Sequence, residues 1–200
     1  MDASGARESM KHTAGLSITL AAIWILSGPA ILEPRPKEAP PQNISASEIS
    51  SGYALLYDLV SKEKQSTLLS IIKKESPELK SLLERIAEAS KATAKELETL
   101  ATIQPALNLK VTHLPRIEQA ARESIDRETS KQILNSQGVD LEFNMVSSQL
   151  TGMNYAAHLA RSLAVVETNP RRKEFLLRTD RNFSELHGQV YKMLLTRYQR

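Results

Sequence analysis

The chain is 200 residues long, 41% hydrophobic and 24% charged, which is enough apolar material for one core and is not the composition of a disordered chain. Aromatic residues make up 4%, with only seven Gly and nine Pro, so helices packed by aliphatic side chains are expected rather than a turn-rich all-β fold. There is no cysteine, which excludes a disulfide framework, a thiolate nucleophile, Cys-ligated zinc or iron–sulfur, and a lipoprotein anchor; the net charge of +3 is mild.

Residues 14–32, AGLSITLAAIWILSGPAIL, are nineteen positions without a charge, preceded by Arg7, Lys11 and His12 and followed by Glu33. As a helix they would span roughly 28 Å, close to the hydrocarbon thickness of a bilayer. Two readings stay open. One is a signal peptide with its apolar centre at 16–26, cut after Ala30 with Gly28 at the −3 position; the other is an uncleaved membrane anchor. Cations flank the run on both sides (Arg7 and Lys11, Arg35 and Lys37), so it carries little orientation signal. Residues 33–45 follow as a linker, in which Pro34, Pro36, Pro40 and Pro41 favour extended polyproline conformations and a spacer of about 20–30 Å.

Residues 46–200 read as a helical domain. Ser45 and Glu48 form a capping box that starts a helix, with Ile49, Tyr53, Leu56 and Val60 on its apolar stripe. Residues 61–66 are polar all round and are a place where that helix could break. Ser76, Pro77 and Glu78 supply a cap, a proline at the first helical position and an acid in the first turn. The second helix carries Leu79, Leu82, Ile86, Ala89, Thr93, Leu97 and Leu100 at spacings of three and four, and Pro105 ends it. A shorter helix is expected over 115–136, then a long one over 140–167 with the stripe Phe143, Val146, Leu150, Met153, Ala157, Ala160 and Ala164. Thr168, Asn169 and Pro170 form another cap-and-proline turn before a last helix carrying Phe175 or Leu176, Thr179, Phe183, Leu186, Val190, Met193 and Leu194. Leu82, Ile86, Leu97, Phe183 and Val190 are the expected centre of the core, and Tyr53 and Tyr57 are expected at a helix–helix seam. The short turns make each pair antiparallel, and the 35 residues 105–139 between the pairs are long enough to return along the bundle. The fold class is therefore all-α: a four-helix bundle of two antiparallel hairpins with a long helical crossover, the ferritin-like topology, preceded by an apolar helix and a Pro-rich linker.

The segments SPELKSLLERIAEASKATAKELETLA and AAHLARSLAVVETNPRRKEFLLRTDRNFSELHGQVYKML resemble secreted bacterial ferritin-like helical proteins of unknown function, in which an S/D-P-x-L/V-K turn opens a long helix in each hairpin. The resemblance covers residues 48–195. It implies a four-helix fold and a location in the cell envelope, and no particular reaction. Members often carry a histidine midway along the second helix, where this chain has Ser90; His187 falls where the group tends to have one.

A ferritin-like bundle raises the question of a carboxylate-bridged metal pair, whose ligands include two E-x-x-H pairs. No such pair exists: the residues three before His113, His158 and His187 are Lys110, Tyr155 and Ser184. Any metal site would have to use carboxylates alone, with Glu63, Glu96, Glu142 and Glu185 as first candidates. His158 and His187 read as packed, hydrogen-bonded side chains rather than haem ligands. G-x-S-x-G, H-E-x-x-H, G-x-x-x-x-G-K-[ST] and G-x-G-x-x-G are all absent, so no hydrolase or nucleotide-binding signature is present.

Charge is uneven: residues 171–200 carry a net of +5 and residues 33–170 a net of −2. Arg171, Arg172, Lys173, Arg178 and Arg181 are the candidate contact for an anionic polymer or lipid, against the plainer reading of a solvated helix face. No aromatic-interleaved basic platform supports nucleic-acid readout, and no nucleic-acid partner is expected. The sequence thus predicts a membrane-tethered or exported bundle that is not an enzyme. It needs no cofactor, meets the membrane through residues 14–32 and serves as a binding or structural module on the periplasmic side. The alternatives are a carboxylate-only metal protein and a binder of anionic polymer or lipid through the basic last helix.

Overall fold

Side chains that satisfy free backbone N–H groups set where three of the five described helices start. In the computed structural model, which describes residues 44–70 and 76–198 and the side chains of 44–62 and 76–197, the Ser45 N–H donates to Glu48 Oε2 at 2.8 Å and the Glu48 N–H donates to Ser45 Oγ at 3.3 Å. This reciprocal box opens α1 (Ala46–Ser70). The Leu79 N–H donates to Ser76 Oγ at 3.4 Å, and Pro77 occupies the first position of α2 (Pro77–Ala101). Helix α3 (Arg116–Asn135) follows Pro115, and α4 (Gly138–Val166) follows after two residues. Asn169 Oδ1 accepts the N–H groups of Arg171 and Arg172 at 3.0 and 3.2 Å and opens α5 (Pro170–Tyr198). No strand occurs among the described residues. The apolar run 14–32 and the linker up to residue 43 lie outside them.

Two local expectations are refined. Helix α1 runs unbroken through 61–66, where Lys62 forms an ion pair with Asp58 one turn earlier, 2.9 Å apart. Helix α2 stops at Ala101 rather than near Pro105: Pro105 has no N–H to donate to the Ala101 carbonyl, which accepts the Leu107 N–H at 3.0 Å instead.

The long helices bury their aliphatic stripes in one core that includes Tyr53, Leu56 and Val60 of α1, Leu79, Leu82, Ile86 and Leu97 of α2, Met153, Ala156 and Ala160 of α4, and Phe175, Leu176, Phe183 and Val190 of α5. The five residues expected at its centre are all at most 2% exposed. In α4 the stripe begins one step out of phase: Phe143 is 44% exposed, and Leu141 and Met145 are buried in its place. The inward face continues through Gln149 and Gly152, neither of which registers as hydrophobic, so a search for apolar spacing picks the wrong starting residue.

Side-chain pairs fix how the helices run. Tyr53 of α1 bonds to Glu167 just past α4, and Leu163 of α4 packs on Gly52, so α1 and α4 are antiparallel. Arg178 of α5 pairs with Glu96 of α2, while Arg197 at the end of α5 reaches Glu78 and Glu142 at the starts of α2 and α4. Each of the four long helices is therefore antiparallel to the neighbours it packs on, and α3 lies against α4. The result is a helical bundle.

Glycines at 52 and 188 give a direct check of this packing. A Cβ at Gly52 would stand 2.6 Å from Leu163 Cδ2, whereas one at Gly188 would meet nothing within 4 Å. Gly188→Ala is expected to raise stability by roughly 0.5–1 kcal/mol through helix propensity. Gly52→Val is expected to lower it by about 1–3 kcal/mol through overpacking. Urea denaturation of the two variants measures both signs.

Candidate functional site

A buried group of charged and polar side chains sits where α1 begins and α4 turns into α5. Glu167 ends α4, and its carboxylate is drawn under the turn. Oε2 accepts the Tyr53 hydroxyl at 2.6 Å, and Oε1 accepts the Asn169 N–H at 2.7 Å. Arg172 reaches in from the first turn of α5: its Nε is 3.6 Å from Glu167 Oε2, and its Nη1 donates to the Pro105 carbonyl at 3.0 Å. The Arg172 side chain is 2% exposed and that of Glu167 6%. The group joins α1, the α4–α5 turn, α5 and the segment that follows α2.

Burial, followed by the hydrogen bond to Glu167 and that residue's negative charge, pushes the Tyr53 phenol far above its usual value; Arg172 pulls weakly the other way. Tyr53 is therefore a neutral donor at any physiological pH. Carboxylate, phenol and guanidinium face one another rather than a cleft, so the arrangement holds helices together and presents no free nucleophile or base.

The five cations singled out in the sequence part company. Arg172 is corrected: it lies inside, because it precedes Phe175, Leu176 and Thr179 on the inward face at helical spacing. That spacing is visible in the sequence. Arg178 is half-buried, pairs with Glu96 and lies over the Phe175 ring, 6.0 Å from its centroid. Arg171, Lys173 and Arg181 are exposed on α5.

The candidate metal carboxylates are taken up elsewhere. Glu96 pairs with Arg178, and Glu142 pairs with Arg197 while also accepting the Ser76 N–H at 2.7 Å. Glu185 is exposed and accepts from Gln189 at 3.2 Å, and the Glu63 side chain lies outside the described residues. Among the described residues no three His, Asp or Glu side chains converge to hold a metal ion. His158 is exposed on α4 and His187 half-buried on α5. Ser90 is fully buried, and its Oγ has no hydrogen-bond partner among the described residues.

An open groove of about 570 Å³ runs between the α1–α2 pair and the segment after α2, lined by Tyr57, Glu98, Ala101, Leu107, Leu109 and Lys110. Tyr57 crosses the α1–α2 seam and donates to Glu98 Oε1 at 2.6 Å, a bond that raises the phenol's pKa. Both tyrosines thus sit at helix seams, Tyr53 wholly inside and Tyr57 at the rim. No protein-family model, characterised protein or solved structure matches the chain.

The burial of Tyr53 has a signature in pH. Its pKa is raised on folding, so the unfolded chain ionises first: the stability it contributes is whole below about pH 10 and is lost as pH rises further. Tyr53→Phe is expected to lower stability at pH 7 by roughly 1–3 kcal/mol. It is also expected to flatten the fall above pH 10 by up to about 1.4 kcal/mol per pH unit relative to the unaltered chain. Urea titrations at pH 7 through 11 measure both.

Proposed function

We propose that the chain is a helical-bundle module held at the cell envelope, tethered by residues 14–32 or exported after their removal, with residues 46–200 on the extracytoplasmic side. It acts by binding or by building structure rather than by catalysis. The observation that carries this reading is the order of segments: an uncharged run of nineteen residues, a Pro-rich spacer, and then the capping box that begins α1. Among the described residues no helix is long and apolar enough to cross a membrane, so a tether would fall to residues 14–32. The helix pairings support a one-crossover, ferritin-like order in which α2 and α4 run the same way and α3 belongs to the long connection between them.

The buried polar side chains at the α1 end bind one another, which suits a scaffold whose partners meet its outside. Arg171, Lys173 and Arg181 offer a contact for an anionic envelope polymer or lipid headgroups.

Trp24 is the sole tryptophan and lies within the apolar run, so it reports the fate of that segment. Protein recovered from the cell envelope is expected either to lack tryptophan fluorescence, if the segment is removed, or to need detergent for extraction, if it is kept. A chain that is soluble without detergent and retains Trp24 would contradict both forms of the reading.

A further inference from the structure

Helix α3 is held differently from its neighbours. None of its residues is buried, whereas α4 buries eleven. Ile117 and Ile125 are 80% and 64% exposed. Polar contacts tie its middle to the bundle. Arg122 donates to the Tyr155 hydroxyl of α4 at 3.2 Å and lies over that ring, 5.4 Å from its centroid. Asp126 pairs with Lys62 of α1 at 2.7 Å, with both side chains about half exposed. Contacts of this kind contribute little in water and weaken further in salt. Ile133, near the C-terminal joint, reaches the edge of the core.

Neither end of α3 continues into another helix. Residues 102–115 ahead of it have no helix or strand. Behind it, Ser136 and Gln137 lead into Gly138 at φ +55°, where nothing lies within 4 Å of a would-be Cβ. That backbone conformation is natural to glycine.

We propose that α3 is a strap: it undocks as a unit while α1, α2, α4 and α5 stay packed, uncovering Tyr155 and the adjoining faces of α4 and α1. Once released, a helix of this length is marginal in water and loses its amide protection.

Hydrogen exchange of the full-length chain, followed by mass spectrometry at pH 7, tests this. Amides of residues 116–131 are expected to exchange on the order of 100-fold faster than those of residues 151–164, and 1 M NaCl should speed the first set and not the second. The chain has no cysteine, so a Lys62→Cys/Asp126→Cys variant can be joined cleanly by a short bis-maleimide. Joining should slow exchange over 116–131 by tenfold or more, while each single-cysteine variant keeps the fast rate. The proposal is overturned if residues 116–131 are as protected as α4. It is equally overturned if their fast exchange ignores the cross-link, because that pattern means fraying in place.

Discussion

A guanidinium at 2% exposure cannot be left without partners, and the geometry at the α1 end of the bundle follows from that requirement. Arg172 needs a counter-charge and an acceptor. Glu167 supplies the first and the Pro105 carbonyl the second. Drawing Glu167 inward buries a carboxylate, which is then held by the Tyr53 hydroxyl and the Asn169 N–H. Each group is tolerable in the interior because the others are there. Loss of one member of such a pair typically costs about 3–5 kcal/mol, even though a well-packed apolar replacement of the whole group would be near neutral. The group's value therefore lies in specificity: it accepts one arrangement of α1, α5 and the segment after α2 about the α4–α5 turn.

The opposite end uses the same device closer to solvent. Arg197, 28% exposed, joins Glu78 of α2 and Glu142 of α4, and Glu142 also takes the Ser76 N–H. Between the two ends the interior is mostly aliphatic and aromatic, with Ser90, Thr93, Gln149 and Thr179 buried among the apolar side chains. Small residues on α4 (Gly152, Ala156, Ala160) and Gly52 on α1 allow close approach, with Leu163 packed directly on Gly52. Helix α3 stands outside this scheme, and its attachment by exposed charges gives the molecule one element whose stability is separable from the rest.

Much of the fold was legible in the sequence because it rests on local chemistry. Ser45 with Glu48, Ser76 with Pro77, and Asn169 with Pro170 each carry their helix start within four residues, and all three caps form. The stripes of α1, α2 and α5 were equally readable from apolar spacing. What escaped was the polar interior. The charge of Arg172 points to the surface, although its spacing from Phe175 and Thr179 puts it inside. Gln149 and Gly152 mask the phase of α4, which buries Leu141 and Met145 and leaves Phe143 exposed, against the apolar spacing. The partnership of Tyr53, Glu167 and Arg172 joins residues up to 119 positions apart, and no local pattern announces it. The cation cluster on α5 was visible as composition, but only folding separates the buried Arg172 and the paired Arg178 from the exposed Arg171, Lys173 and Arg181.

If the buried group is what fixes the α1 end, Glu167 and Arg172 must be energetically coupled. A double-mutant cycle with Glu167→Gln, Arg172→Met and the two together, read by urea denaturation at pH 7, measures that coupling directly. The account predicts that each single variant loses about 3–5 kcal/mol and that the double variant loses less than their sum by about 1–3 kcal/mol, because neither charge is then buried alone. Losses that add to within about 0.5 kcal/mol would show the two groups acting independently and would contradict it.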